Sequence, residues 1–478
     1  MKPKLPFSKK IPAFITAVIT LLFPVLLSAQ TETLWIGKSV DFSHGKLKIS
    51  ENKKILVFED GTPFFYLGDT AWELFHRLNK EEVEKYIDNR RSKGFTVIQA
   101  VILAELDGLN TPDAYGDKPL IDNDPLKPDE KYFEYVDWII KEAESKGLFI
   151  GLLPTWGDKI DLQSWGKGPV IFNKDNGYKY GQWIGNRYKN CPNIIWINGG
   201  DRSGGGDNFS VWNAIALGIK SVDKNHLMTF HPNGGASSSQ WFQTVSWLDF
   251  NMAQTGHCDR TYSTINQLIV GDYNNKTVKP CFDGEPPYED HPVCWNPEVL
   301  GWLDQADVRQ NAYWSLFSGA FGHTYGCHGI WQFYAPGREP VSFVRHYWYD
   351  VMDLPGAFDM LNVRRLVESR PFLNRVPAQN LIAKDFYSPE AERIVATRGD
   401  GYAFVYTPTG RAPEINLDEL GFNEAKIFWF NPRTGESQFV ETIKCKGYKK
   451  FSPPSSGRGN DWILVLDDSS KNFTSPGK

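Results

Sequence analysis

From Phe64 to Trp331 the chain alternates short apolar runs with longer stretches in which apolar residues return every three or four positions, the mark of repeated β/α units and a parallel sheet. Eight runs can be counted, at 64–67, 96–103, 149–153, 194–197, 227–230, 250–253, 279–282 and 323–330, the last being the least regular. Between the first two, Asn79 stands where a helix N-cap belongs, Glu82 holds the capping-box position and Gly94 offers a left-handed stop. After Pro128, Tyr132, Val136, Ile139, Ile140 and Ala143 recur at helical spacing, and Gly147 closes that segment. Further crossovers fall at 209–223 and 306–318, while the connection after the sixth run is polar and looser. Eight units in about 300 residues predict an α/β fold of the (β/α)8 TIM-barrel type rather than an open sheet.

From about Val376 the helical period stops. Short alternating strands at 393–397, 403–406, 426–430 and 462–466 take over, separated by turn signals such as Arg398-Gly399-Asp400-Gly401. They predict a small antiparallel β-sandwich. A Ser/Pro/Gly-rich surface loop is expected at 452–460 and a disordered tail after Asp468. The expected layout is a signal peptide over 1–29, a barrel with a short lead-in over 30–375, a sandwich over 376–468 and the tail over 469–478.

The leader follows from Lys2, Lys4, Lys9 and Lys10 ahead of an apolar run to Leu27, with Ser28 and Ala29 as small cleavage-site residues. Pro24 interrupts that run and no second long apolar span follows, which favours cleavage over a membrane anchor. A secreted or periplasmic bacterial protein is expected, with no membrane contact after cleavage. Losing those four lysines takes the formal charge from −5 to −9, so nucleic acid is a poor partner. The six cysteines have no framework spacing and are read as single buried thiols with at most one bridge. Aromatic residues make up 14% of the chain, 17 of them Trp. That richness suits a binder of sugar rings, although most of these side chains must be core.

In a TIM barrel the chemistry sits at the C-terminal strand ends. Here these ends read Gly68-Asp69-Thr70-Ala71-Trp72, then Glu105, then Thr155-Trp156-Gly157-Asp158 and Asn198-Gly199-Gly200-Asp201. The later ones read His231-Pro232-Asn233, Gln254-Thr255-Gly256-His257 and Asp283-Gly284-Glu285-Pro286-Pro287-Tyr288. Glycosidic cleavage needs two carboxyl groups, and strands four and seven, opposed across the barrel mouth, supply Asp201 and Glu285. Asp69, Trp72, Glu105, Trp156, His231, Asn233, Gln254, His257, Tyr288 and Trp331 are the expected substrate-binding residues, with each Trp as readily core as platform. No P-loop, dinucleotide fingerprint, nucleophile elbow or H-E-x-x-H is present. His257-Cys258 and Cys327-His328 lack partners at ligand spacing, so neither a cofactor nor a metal is expected.

These motifs, with Glu105-Leu106-Asp107-Gly108 and Leu152-Leu153-Pro154-Thr155-Trp156-Gly157-Asp158, resemble glycoside hydrolase family 140 over nearly all of the barrel. The resemblance implies an apiosidase acting on pectic rhamnogalacturonan II, with an aspartate acid/base falling on Asp201 and a glutamate nucleophile on Glu285. The C-terminal strands resemble a module named for collagen binding, yet nothing in them indicates collagen. Where larger clans of retaining barrels end strand four in Asn-Glu, this chain has Gly200-Asp201, so a shorter acid must reach the leaving oxygen. The rival readings are a glycosidase of the same mechanism on another glycan, and a non-catalytic secreted glycan or matrix binder.

Overall fold

A computed structural model describes residues 34–383 and 390–478; the leader segment lies outside the described residues. Eight parallel strands form the barrel: β1 Tyr66–Thr70, β2 Val97–Leu103, β3 Phe149–Thr155, β4 Ile194–Gly199, β5 Met228–His231, β6 Asn251–Gln254, β7 Cys281–Asp283 and β8 Gly322–Tyr325. The ladder runs β5-β4-β3-β2-β1-β8-β7-β6, with Ala236–Ser237 added antiparallel to β6. The ends meet where the Asp249 amide donates to Met228 O (2.8 Å) and Thr229 Oγ1 to Phe250 O (2.7 Å), which brings β5 against β6. All eight predicted runs hold a barrel strand, shifted by a few residues. The first run straddles two elements, because Pro63–Phe64 belongs to an antiparallel sheet with Leu47–Ile49 and Leu56–Phe58. Phe58 and Phe64 of that sheet pack on each other and Phe64 on Phe149, at the start of β3, so this sheet plugs the end of the barrel opposite the strand C-termini.

The crossover helices follow the sequence signals. Asn79 and Glu82 form the reciprocal capping box of the helix Lys80–Ser92, and Gly94 follows at φ 74°. The helices Glu130–Ser145, Asp207–Val222 and Gln305–Phe317 fall where periodicity put them. The loose sixth crossover holds only the short segments Ser263–Ile265, Asn266–Val270 and Gly271–Tyr273.

The C-terminal region is a six-stranded antiparallel sheet facing a two-stranded one, Glu414–Asn416 with Tyr448–Lys450. Alternation along Tyr402–Thr407 divides its contacts between two cores. Tyr402, Phe404 and Tyr406 join the barrel core, whereas Ala403 and Val405 point into the sandwich. Tyr313 of the helix Gln305–Phe317 stacks on Tyr406 at 5.0 Å, and beside it Arg309 pairs with Asp461 and Asp359.

The disordered tail expected after Asp468 is corrected. Phe473 packs under the Arg370 guanidinium at 4.8 Å, the Gly477 amide donates to Ser369 Oγ (3.2 Å), and Pro476 and Gly477 are buried. The polar composition of the segment gives no sign of these ties.

Candidate active site

The C-terminal strand ends open into a cavity of about 1590 Å³. Asp201, Glu285, Glu105, Trp72, Trp156, Asn233, Gln254, His257, Tyr288 and Trp331 all line it.

Asp201 reaches the cavity through a sharp turn. Gly199 (φ 97°) and Gly200 (φ 148°) precede it, and Asp201 itself is left-handed at φ 52°. A Cβ on Gly199 would come within 2.4 Å of His231 O, so a side chain there would drive β4 off β5. The Asp201 amide donates to Nδ1 of His231 (3.2 Å), and its Oδ1 accepts from Gln254 Nε2 (3.3 Å). Glu285 is set by backbone ties on both sides. Gly284 N donates to Ala253 O (2.9 Å), Glu285 O accepts from Gly256 N (3.0 Å), and Gln99 Nε2, reaching across the barrel, donates to Gly284 O (2.9 Å).

The two carboxyl groups are biased in opposite directions. Burial, then the negative charge of Glu285, pushes Asp201 up to about 6, against the opposing charges of His231 and Arg202. Burial alone would also raise Glu285, but His231 Nε2 lies 2.7 Å from Oε2 and His257 Nε2 lies 3.2 Å from Oε1. These two imidazoles hold Glu285 down at about 2. His231 contacts both residues, its Nε2 facing the Glu285 carboxylate and its Nδ1 accepting from the Asp201 backbone amide. Glu105, a third carboxyl in the cavity, is raised well above its ordinary value by burial and then by the charges of Asp201, Asp158 and Glu73.

Indole and imidazole rings form the cavity floor. Trp72 and Trp156 are 5.3 Å apart and each packs on His231. The Trp331 Nε1 donates to His328 Nδ1 (3.1 Å), and His328 Nε2 donates to Ser342 O (2.8 Å). Burial lowers His328 to about 4, so the neutral tautomer that orients Trp331 persists at ordinary pH.

Two expected binding residues are corrected. His231 is wholly buried beneath the carboxylates, so it acts on them and not on a sugar. Asp69 points away from the mouth: its Oδ2 accepts from Arg90 Nε (2.7 Å) and from the Tyr86 hydroxyl, both on the helix Lys80–Ser92. Successive residues of a strand face opposite sides, and the register of β1 turns this one toward the helix layer, where a fully buried guanidinium needs a counter-ion. Asp69→Ala is therefore expected to lower unfolding stability by about 3–5 kcal/mol, since it leaves the buried Arg90 charge without its counter-ion. Urea titration measures the loss, and an added Arg90→Met change should restore part of it.

Sequence reasoning missed Trp165, Trp295 and His291, which also line the cavity. They come from long loops rather than strand ends. The one signal for Trp295 is its neighbour Cys294, which pairs with Cys258 in a disulfide. Cys281 and Cys327 are buried thiols, and Cys191 and Cys445 are partly buried.

Residues 50–374 match the family model of an apiosidase-like catalytic domain, and residues 376–467 match one described as "Putative collagen-binding domain of a collagenase". No curated protein matches the chain. A solved structure described as a glycoside hydrolase is 34% identical with a TM-score of 0.84, the match covering 91% of this chain and 100% of that one. A glycoside hydrolase family 5 structure from Bacteroides vulgatus ATCC 8482 is 32% identical with a TM-score of 0.85, covering 91% of this chain and 96% of that one.

Proposed function

Since the chain belongs to the apiosidase-like catalytic-domain family and is a glycoside hydrolase, we propose that it removes terminal apiose from rhamnogalacturonan II side chains by double displacement, with Glu285 as nucleophile and Asp201 as acid/base. The opposed protonation of the two carboxyl groups carries this reading. Glu285, held at about 2, is an anion at any ordinary pH, whereas Asp201, raised to about 6, keeps a proton in mildly acidic solution.

In the first step Glu285 attacks the anomeric carbon while Asp201 gives its proton to the departing glycosidic oxygen. The C–O bond to the leaving group breaks, and a glycosyl ester on Glu285 forms. Asp201, now a carboxylate, then takes a proton from water, whose oxygen attacks the same carbon. The ester breaks, Glu285 is freed and Asp201 is protonated again. Gln254 orients Asp201, and the two imidazoles stabilise the charge that returns to Glu285. An exported location agrees with the lysine-led leader and with the Cys258–Cys294 disulfide, which suits an oxidising compartment.

Incubation with rhamnogalacturonan II oligosaccharides, with the products separated by chromatography and the first-formed anomer read by NMR, tests this. Apiose with retained anomeric configuration is expected. An inverted product would overturn the double displacement, and release of a different sugar would overturn the substrate.

A further inference from the structure

The five tryptophans that line the cavity differ sharply in what they offer a ligand. Trp72, Trp156 and Trp331 are 2%, 3% and 8% exposed, too enclosed to lend a sugar a flat face, whereas Trp295 is 49% exposed in the same cavity. Trp165 is exposed as well, but Arg202 sits over its ring at 4.8 Å. Trp295 stands at the head of a row of rings. Its centroid is 5.9 Å from that of His257 and 5.6 Å from that of His291, both nearly perpendicular to it. The His257 ring in turn reaches Glu285, so the indole lies one imidazole away from the nucleophile.

The backbone that delivers this ring is forced. Cys294 and Trp295 are consecutive left-handed residues, at φ 49° and 54°, and neither is glycine. Such conformations persist where surrounding structure over-determines them. Here the restraint is the Cys258–Cys294 disulfide together with a hydrogen bond from the Cys294 amide to His257 O (3.0 Å). The loop after β7 is thereby tied to the loop after β6, with Trp295 beside His257.

We propose that Trp295 is the stacking platform for a second sugar ring of the substrate, next to the one whose anomeric carbon Glu285 attacks, and that the Cys258–Cys294 disulfide positions it there. This rests on the hydrolase reading above. The spacing selects the ring: a sugar over Glu285 occupies the space bordered by His257, so the indole beyond His257 meets its neighbour. The ligand class that follows is an oligosaccharide rather than a free monosaccharide glycoside.

The test compares affinities in the Glu285→Gln background, so that it does not depend on turnover. Binding of a rhamnogalacturonan II oligosaccharide and of methyl apioside is measured by calorimetry, with and without Trp295→Ala. A loss of about tenfold confined to the oligosaccharide is expected, with Trp295→Phe recovering part of it. Dithiothreitol treatment of the Glu285→Gln protein should weaken oligosaccharide binding in the same direction, and it covers the case in which a Cys258→Ser, Cys294→Ser variant fails to fold. Equal affinities with and without Trp295 would overturn the platform, and an oligosaccharide affinity indifferent to reduction would overturn the role of the disulfide. If the wild type cleaves no glycan while Trp295→Ala still weakens binding, the hydrolase reading falls and the platform stands.

Discussion

Glu285→Gln is expected to lower kcat by about 10⁴-fold or more while the protein keeps its fold and its affinity for substrate. Gln is nearly isosteric with Glu, and the His231 and His257 nitrogens at 2.7 and 3.2 Å can be met by an amide in place of a carboxylate. What disappears is the nucleophile. A neutral amide cannot form the glycosyl ester, nor stabilise the positive charge that gathers on the anomeric carbon as the leaving group departs. Steady-state kinetics on the oligosaccharide, with circular dichroism to confirm folding, measures this. Turnover within tenfold of the wild type would remove Glu285 from its role and turn attention to Glu105, another carboxyl of the cavity lining; the uncharged state that burial favours in Glu105 makes it the weaker nucleophile.

The barrel was legible because each of its signals is local. An Asn79–Glu82 capping box and a Gly94 stop need no tertiary contact to declare themselves, and the strand runs are apolar because a parallel sheet is covered on both faces. The Asp201 and Glu285 pair was legible for a different reason: once the barrel closes through β5 and β6, only those two strands separate the ends of β4 and β7, and both ends open on the same cavity. What the sequence hides is direction and partnership. Asp69 sits at a strand end like Asp201, yet the pleat turns it toward Arg90, and nothing short of the register of β1 against β2 and β8 reveals which way it faces. His231 reads as a sugar ligand until its burial beneath Glu285 is known. Trp295 depends on a bridge between cysteines 36 residues apart in two loops. Sequence spacing carries no information about such a pair in a chain with four other cysteines.

Asp201→Asn should act on the proton rather than on the attack. In the wild type, kcat/KM is expected to fall as pH rises through about 6, where Asp201 loses the proton that the leaving oxygen needs, and to fall again only near pH 2, where Glu285 becomes protonated. The Asn variant cannot titrate, so the alkaline limb should vanish. Its kcat on sugar leaving groups should drop by about 10²–10⁴-fold, and far less for formation of the glycosyl enzyme from an aryl glycoside, whose leaving group departs without a proton. Burial and the Glu285 charge together raise Asp201, which gives a coupled test. Removing that charge in Glu285→Gln should move the Asp201 titration, followed by carbon NMR of its carboxyl, downward from about 6 toward the ordinary aspartate range near about 4. An Asp201 titration indifferent to residue 285 would mean that the two groups do not sense one another, and the shared-site mechanism would lose its electrostatic basis.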